Sequence, residues 1–350
     1  MFNKLLEIQI KPSTKLMVVS DIHLQLPITR ELEIIQASLV SRINELGKSK
    51  DAILVLNGDV IELWEKHNQS VEDILSGFDK LSESIAKFAK KSSHRVIYTV
   101  GNHDDVLSLS AGDRKIVEKI WNAEICRSLA FMVGKKAIRI EHGHESDSYN
   151  ATSQNNNPKG KQMVQNTLPV LLKTMPSLFS GIGDVVNRSL LPSYVLSNLT
   201  YKIIAPICAP AVLMISILLS ITNNDSRYWK SALLVLVLLW AVLLISDVIL
   251  RFIAGFALGG GSSYMKKVDN YRSNDSFDVI VYGHTHQGVV EKRKGYVYAN
   301  GGCNDVIALP RIGWIGLIRF NRFVQLSNIS IEADKKDFIK YHQQIVPLVE

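Results

Sequence analysis

The residues of this chain that could do chemistry are histidines, aspartates and one asparagine, grouped in short motifs. Each motif follows an apolar run that is typical of a buried strand, such as LMVVS before Asp21 and DVIVY before Gly283. The motifs are Asp21-Ile22-His23, Gly58-Asp59, Gly101-Asn102-His103-Asp104, His142-Gly143-His144 and Gly283-His284-Thr285-His286. Imidazole, carboxylate and amide groups are ligands of divalent metals such as manganese, iron and zinc. The motifs therefore indicate a metal site.

The position of the motifs at strand ends indicates how their side chains meet. In an α/β sheet the carboxyl ends of neighbouring strands open into one crevice, so ligands that follow successive strands converge there. Two divalent ions about 3.5–4 Å apart form a hydrolytic centre of this kind, and a shared carboxylate offsets their repulsion. The alternative is that these polar residues only satisfy core or turn positions. A single motif arises readily by chance, whereas the full series at strand ends favours a two-metal centre.

The segments between the motifs must position them, and they alternate between strand and helix patterns. Apolar residues recur at three-to-four spacing over residues 32–46 and 71–89, each between two strand runs. β-α-β units are the economical interpretation. Strand patterns follow the last motif at residues 295–300, 314–320 and 323–331. We predict an α/β fold with a two-layered β-sandwich core flanked by helices.

A different pattern lies between His144 and Asp278. Residues 150–160 are polar, and residues 168–200 are moderately apolar but broken by prolines and glycines. Two strongly apolar runs follow, residues 203–224 and residues 229–258, and the first carries no charge. About 20 apolar residues are enough to cross a membrane as a helix. We predict a transmembrane helical hairpin, and the alternative is a buried hairpin that caps a soluble domain.

The two halves of the ligand set flank this segment, which predicts an interrupted catalytic domain. We place its first part at residues 1–149, the insertion at 150–270 and the second part at 271–350. The linker between the apolar runs, NNDSRYWK, is short, so the two helices are expected to run antiparallel and return the chain to its starting side. The polar and proline-broken stretch before them would then lie beside the metal site.

The composition of the chain limits which cellular compartment and which partners we expect. The chain has 350 residues, 21% of them charged, a formal net charge of +7 and a pI of about 9.1. The surplus charge is scattered, which fits either a solvated surface or attraction to anionic lipid or a phosphorylated substrate. Basic and aromatic residues do not interleave, so no nucleic-acid partner is expected. Three cysteines without a CxxC pair suit a reducing compartment, and the amino terminus shows no secretory signal pattern. We expect a multi-pass protein of the cell membrane with a cytoplasmic catalytic domain.

The motif series resembles the calcineurin-like metallophosphoesterase superfamily, whose pattern is D-x-H, G-D, G-N-H-[DE], a histidine near a glycine, and G-H-x-H. The resemblance covers residues 16–144 and 278–304. It implies one metal held by Asp21, His23 and His286, a second held by Asn102, His142 and His284, and Asp59 bridging the two. Of the metals that suit such ligands, we favour Mn²⁺, with Fe and Zn²⁺ as alternatives.

The same resemblance implies roles for the residues beside the ligands. His103 would face the substrate phosphate and protonate the leaving oxygen or stabilise its charge. Asp104 would orient His103 or raise its basicity, and the alternative is a loop cap. His144 is either a substrate contact or a residue behind the ligands, and it is not placed in the metal set.

The stretch from Gly58 to Trp64 is similar to the G-D-x-F-E-x-W motif of UDP-2,3-diacylglucosamine pyrophosphohydrolases, which act on a lipid precursor. This chain departs from that branch at Ile61, in the absence of an acidic run after Trp64, and at His144, where the branch has H-G-D. Trp64 is alternatively a plain packing residue.

We therefore expect a membrane-associated, dinuclear metal-dependent phosphoesterase that acts on a phosphate ester or pyrophosphate, with a lipid-linked substrate. The alternatives are a membrane-anchored phosphatase or phosphodiesterase for a soluble substrate such as a nucleotide, and a non-catalytic scaffold that uses the fold to bind a partner. The oligomeric state and the exact substrate are left open by the sequence.

Overall fold

A computed structural model describes residues 3–65, 68–152, 158–185, 190–257, 261–274, 277–312, 318–332, 335 and 337–348. The chain forms two compact units. The first, here called the sheet unit, comprises Met1–Thr167, Lys266–Val306 and Phe323–Glu350. The second, the helical unit, comprises Leu168–Met265 and Ile307–Arg322. The predicted domain bounds place residues 150–167 in the insertion and residues 307–322 in the second part of the catalytic domain, whereas this division assigns them to the sheet unit and the helical unit respectively.

The described residues contain twelve strands, which hydrogen-bond into one sheet. The strands are β1 (Asn3–Ile8), β2 (Lys15–Val19), β3 (Ala52–Asn57), β4 (His94–Thr99), β5 (Ala123–Val133), β6 (Lys136–Glu141), β7 (Val279–Tyr282), β8 (Val289–Arg293), β9 (Tyr296–Asn300), β10 (Asp305–Ile312), β11 (Ile318–Glu332) and β12 (Ile339–Pro347). Their order is β10-β11-β2-β3-β4-β5-β6-β7-β9-β8, with β1 paired to β5 and β12 to β11. Strands β2 to β5 are parallel, as are β6, β7 and β9.

The sheet folds back on itself into two layers. The end of β2 touches the end of β9, since Ser20 Oγ donates a hydrogen bond to the carbonyl of Gly302 at 3.2 Å. Six strand steps separate β2 from β9, which would be roughly 29 Å across a flat sheet. Val18, Ile97, Ile140 and Val281 belong to one buried apolar cluster, as expected for the interior between the two layers.

Helices cover the outer face of the parallel strands. They are α1 (Arg30–Leu46), α2 (Val71–Gly77), α3 (Asp79–Ala89), α4 (Val106–Leu109), α5 (Ala111–Trp121) and α6 (Lys159–Gln162), which continues as a π-helical turn over Met163–Thr167. Thr29, Ser70 and Ser110 begin α1, α2 and α5, where each side chain accepts from a free backbone N–H. The predicted α/β fold, a sheet with flanking helices, is confirmed.

Two local predictions differ from the structure. The helix expected over residues 71–89 is divided at Phe78, where buried packing of that ring accompanies a non-helical backbone (ψ 51°). The two strands expected at 314–320 and 323–331 are one continuous strand from Ile318, which pairs with β10, with β12 over Phe323–Ile331 and with β2 over Ile329–Glu332. Residues 314–317 of the first predicted strand lie outside the described residues.

The helical unit contains the two apolar runs. Its helices are α7 (Leu168–Thr174), α8 (Pro176–Phe179), α9 (Leu191–Leu199), α10 (Ala209–Thr222) and α11 (Arg227–Ala257). A π-helical segment, Thr200–Cys208, joins α9 to α10 and contains Pro206, which cannot donate a backbone hydrogen bond. Helix α10 packs against α11. Two helical spans, Ser193–Thr222 and Arg227–Ile249, are long and apolar enough to cross a membrane. Helix α12 (Gly261–Asn274) leads back to the sheet unit.

Candidate metal centre and active site

The motif residues meet at the carboxyl ends of the strands that precede them. Asp21 follows β2, Asp59 follows β3, Asn102 follows β4, His142 follows β6 and His284 follows β7. The five apolar runs predicted as strands are therefore strands, and no more than one residue separates each strand from its motif.

The structure brings six of the seven predicted ligands into two groups. The donor atoms of Asp21, His23 and His286 lie within 4.8 Å of one another, and so do those of Asp59, His142 and His284. The two groups adjoin, because His142 Nε2 is 2.9 Å from Asp59 Oδ2 and 4.0 Å from Asp21 Oδ1. The seventh ligand, Asn102, precedes His103, whose backbone N–H donates to Asp59 Oδ1 at 2.8 Å. Asp59 thus occupies the position from which one carboxylate could reach both groups.

The backbone at several of these residues is in the left-handed region. Five of the predicted ligands have positive φ between 50° and 66°: Asp21, His23, Asp59, His284 and His286. Residues other than glycine rarely adopt this conformation, which costs on the order of 1–3 kcal/mol each and concentrates at functional sites. Only glycine fits at position 58, where φ is 73° and an added Cβ would lie 2.5 Å from the His142 ring.

Hydrogen bonds behind the ligands fix which ring nitrogen faces the centre. His142 Nδ1 donates to the carbonyl of Asn57 at 2.9 Å, which leaves Nε2 pointing at Asp59. His284 Nε2 contacts Asp147 Oδ2 at 3.0 Å. Anchoring one imidazole nitrogen in this way is the usual means of orienting a metal ligand.

The electrostatics of the centre favour positive charge. Burial opposes protonation of His142, but the carboxylates of Asp59 and Asp21 outweigh it and raise the pKa of His142 to about 9. Burial likewise opposes protonation of His286, and the bond to Asp21 raises the pKa of His286 to about 9. Burial dominates at His284 and lowers its pKa to about 4. The two buried aspartates therefore create a strongly negative position where a cation is stabilised.

The residues present fit divalent metals. Asn102 Oδ1 and His23 Nε2 are buried and have no hydrogen-bond partner among the described residues. Buried polar atoms are almost always paired in folded proteins, so two buried atoms without a hydrogen-bond partner at one site fit the role of metal ligands. Nitrogen and oxygen donors without a thiolate suit Mn²⁺, Fe or Zn²⁺.

Glu62 is the residue that orients His103, and the sequence analysis did not assign it that role. Its Oε2 accepts from Nδ1 of His103 at 2.6 Å and from Nδ1 of His23 at 2.9 Å. Trp64 is 1% exposed and stacks on the His103 ring, with centroids 4.4 Å apart. The sequence offers one indication of this role, because Glu62 comes three residues after Asp59.

The prediction that Asp104 orients His103 is wrong. The Asp104 carboxylate accepts from the backbone N–H groups of Gly101 (2.6 Å) and Val60 (2.9 Å) and from the Tyr98 hydroxyl (2.6 Å). It therefore ties the loops after β3 and β4 together, which is the loop-cap alternative. Burial, with the nearby charge of Asp59, raises the pKa of Asp104 to about 6.

His144 lies behind the ligands rather than among them. Its Nε2 contacts Thr152 Oγ1 at 3.1 Å and Glu145 Oε1 at 3.2 Å. Its ring is tilted against those of His142 and His284, with centroids 5.5 and 6.4 Å apart. Two further charged residues border the site. Lys161 Nζ is 3.5 Å from Asp105 and 6.0 Å from the Trp64 ring centre.

Comparison with known proteins finds a family match in the first half of the chain. Residues 14–174 match the model of the calcineurin-like phosphoesterase family. This span contains the motifs after β2, β3, β4 and β6, and the motif after β7 completes the same centre. No curated protein sequence gives a significant match.

Solved structures give only distant likenesses. A dimetal phosphatase from Danio rerio shares 10% identity, with 96% of this chain and 99% of that chain covered and a TM-score of 0.37. An archaeal phosphodiesterase shares 10% identity, with 95% and 99% covered and a TM-score of 0.36. Scores this low carry no argument, so the assignment depends on the family match and on the residues of the site. Over residues 14–174 this chain matches the calcineurin-like phosphoesterases, and the match supports a metal-dependent hydrolase of phosphoric esters.

Proposed function

We propose that this protein is a membrane-associated, dinuclear phosphoesterase that hydrolyses a phosphate ester or pyrophosphate of a lipid-linked substrate. The observation that carries the proposal is the pairing, in one chain, of a complete metal-ligand set with two long helices that leave their apolar side chains exposed. The membrane and the lipid substrate go beyond the family match.

The residues of the site include the metal ligands that phosphoryl hydrolysis requires. Asp21, His23 and His286 would hold one divalent ion, Asn102, His142 and His284 the other, and Asp59 would bridge them. Such ions polarise phosphoryl oxygens and lower the pKa of water, and we favour Mn²⁺.

His103 is the group that acts on the leaving oxygen. Because Glu62 holds its Nδ1 at 2.6 Å, Nε2 is the ring nitrogen left for the substrate. Stacking on Trp64 fixes the plane of the ring. In the protonated ring, Nε2–H donates to the oxygen that departs from phosphorus, and Glu62 stabilises the charge that the ring carries. Lys161 places a cation at the rim, which suits an anionic substrate.

The apolar helices are exposed in a way that a water-soluble protein avoids. Met214 and Ile221 on α10 are 71% and 72% exposed, and Phe252 on α11 is 79% exposed. The buried core helix of a soluble protein can match the same length and composition, but its apolar residues are covered. A continuous exposed surface of this kind marks a membrane or an interface. The 20 residues from Ile203 to Thr222 span roughly 30 Å, the thickness of the hydrocarbon core.

The test is fractionation followed by hydrolysis. Membranes from expressing cells should retain the protein after high-salt and alkaline washes, since salt screens surface attachment but not insertion. Detergent-purified protein with Mn²⁺ is then assayed on a long-chain lipid phosphate, a lipid pyrophosphate and matched nucleotides, with His103→Gln as the control for contaminating activity.

Each alternative has its own outcome. Preference for nucleotides in the retained protein would favour a membrane-anchored phosphodiesterase for soluble substrates. Metal binding without hydrolysis of any substrate would favour a scaffold. Release of the protein by alkaline washing would reject the membrane assignment.

A further inference from the structure

Helix α6 of the sheet unit lies against two side chains beside the active site. The backbone N–H of Gly160, within α6, donates to the carbonyl of Tyr149 at 2.9 Å. A Cβ at Gly160 would overlap Oδ1 of Asn150 and lie 3.4 Å from the ring of Trp64. The backbone of α6 therefore rests on these two side chains, and glycine is the residue that permits so close an approach.

Both of these side chains are connected to groups that the proposed chemistry uses. Asn150 Nδ2 donates to Asp147 Oδ2 at 2.9 Å, and the same oxygen contacts His284 Nε2 at 3.0 Å. The Trp64 ring stacks on the ring of His103. Helix α6 is thus positioned relative to a predicted metal ligand through Asn150 and relative to His103 through Trp64.

Lys161 is the cation that α6 places on the His103 side of the site. Its Nζ lies 6.0 Å from the centre of the Trp64 ring, on which His103 stacks. The same Nζ is 3.5 Å from Asp105 Oδ2, whereas a close charged hydrogen bond measures about 2.7–2.9 Å, so Asp105 does not hold the ammonium tightly. The side chains of Lys161 and His103 are 22% and 18% exposed, so both lie at the edge that a substrate can reach.

The position of Lys161 bears on the group that leaves during hydrolysis. Hydrolysis adds a water oxygen to phosphorus and breaks the bond to the leaving oxygen, which takes a proton from Nε2 of His103 in the proposed function. His103 therefore marks the side of the site from which the leaving group departs. An ammonium on that side attracts negative charge on the leaving group, and the attraction is stronger at a partly buried position than in bulk water. A neutral alcohol would gain nothing from the same lysine.

We propose that Lys161 is a specificity-determining residue that binds a negative charge on the leaving group, so that the enzyme prefers esters whose leaving group is anionic. The inference rests on the proposed phosphoesterase function, with His103 facing the leaving oxygen. A second phosphate, as in a diphosphate, and a carboxylate on the leaving alcohol both supply such a charge. If Lys161 instead bound the transferred phosphoryl group, it would contribute equally to every substrate.

The test compares small esters that differ in the charge of the leaving group. Detergent-purified full-length protein with saturating Mn²⁺ is assayed by initial phosphate release, and kcat/KM is measured for each ester. Ethyl phosphate has a neutral leaving group, phosphoglycolate a carboxylate, ethyl diphosphate a second phosphate and phosphoethanolamine an ammonium. Lys161→Met removes the charge and keeps an unbranched side chain. Lys159→Met is the matched control on the same helix, because the Lys159 ammonium lies over the Tyr149 ring, 5.6 Å from its centre.

We expect Lys161→Met to lower kcat/KM for phosphoglycolate and ethyl diphosphate by roughly 10- to 30-fold more than for ethyl phosphate. This is the lower part of the range for a hydrogen bond between charged groups, because the ammonium is partly exposed. Phosphoethanolamine should lose least. Asp105→Asn should shift the preference the other way, toward anionic leaving groups, because it removes the carboxylate that competes for Lys161. The anionic ester that loses more in Lys161→Met identifies the source of the charge, a phosphate or a carboxylate.

Three results would count against the inference. Equal losses for all four esters in Lys161→Met would show that the lysine binds the transferred phosphoryl group, which overturns the inference and leaves the phosphoesterase function standing. The same change of preference in Lys159→Met would show that the general surface charge is responsible, which also overturns it. Absence of phosphate release from every ester by the parent protein would reject the proposed function and the inference together.

Discussion

Replacing Glu62 by glutamine should slow hydrolysis of poor leaving groups more than that of good ones. Glu62 is 2% exposed and accepts four hydrogen bonds: Oε2 from the two imidazoles, and Oε1 from the backbone N–H of Trp64 (2.7 Å) and Glu65 (2.8 Å). Glutamine keeps the shape but has one oxygen and one NH₂ group. Whichever way the amide is oriented, its NH₂ group faces two N–H donors, either the two imidazoles or the two backbone N–H groups, and those two hydrogen bonds are lost.

The expected loss follows from the bond to His103. A hydrogen bond to a charged partner contributes about 1.5–3 kcal/mol. At about 1.4 kcal/mol per tenfold in rate, its removal from the leaving-group step lowers kcat about 10- to 150-fold. The bond to His23 is lost as well, and partners of this kind affect metal affinity about 10–100-fold, so rates are compared at saturating Mn²⁺.

The assay compares an alkyl phosphate ester with a nitrophenyl ester. A nitrophenolate leaves without a proton, so it should retain more of the parent rate in Glu62→Gln. Asp104→Asn is the matched control: it removes an equally buried charge that contacts backbone and Tyr98 instead of His103. We expect that variant to lower the thermal midpoint without changing the ratio between the two substrates. Equal losses for both esters in Glu62→Gln, or a changed ratio in Asp104→Asn, would refute the assignment of Glu62 as the residue that positions His103.

Three further predictions concern the centre itself. Asp59→Ala should abolish activity and release most bound metal, because both groups lose their shared carboxylate; elemental analysis showing near-normal metal content would contradict the bridging role. His103→Gln should retain both metals and lose roughly 10²–10⁴ in rate on the alkyl ester, the usual contribution of a positioned acid; loss of metal would make His103 a ligand. Gly58→Ala should lower the melting temperature and the metal content, since its Cβ would meet the His142 ring at 2.5 Å; Gly134→Ala is the control, with positive φ but open space around it, and equal metal loss there would show that the steric argument fails.

The positions of the candidate ligands at strand ends follow from local signals in the sequence. A short apolar run ends, and a ligand follows at the carboxyl end of the strand, as at Asp21 and His142. The role of Glu62 could not be predicted in this way, since it depends on two imidazoles, one 39 residues before it and one 41 residues after it, that turn the same ring nitrogen toward one oxygen. Asp104 shows the converse: it neighbours His103 in sequence, but its side chain turns back to the backbone of Gly101 and Val60.

The domain bounds could not be predicted from local patterns, because they depend on contacts between residues that are far apart in the sequence. The strand predicted at residues 314–320 has an ordinary strand pattern, and nothing in the composition of the segment 307–322 separates it from the rest of the sheet. Its place in the helical unit follows from partners far away in the chain, such as Asp184 for Arg322 and Tyr194 for Phe320. The apolar runs themselves were visible because their length alone distinguishes them.

The positive φ of five ligands changes how an alanine scan of this protein should be interpreted. At Asp21, His23, Asp59, His284 and His286, alanine removes the ligand but retains the left-handed backbone, which alanine tolerates poorly. Glycine at the same position removes the ligand and relieves the backbone, so an apoprotein carrying glycine should unfold at a higher temperature than one carrying alanine. The difference between the two substitutions isolates the conformational cost of the ligand position from the affinity for the ion. A scan confined to alanine would assign both quantities to metal binding.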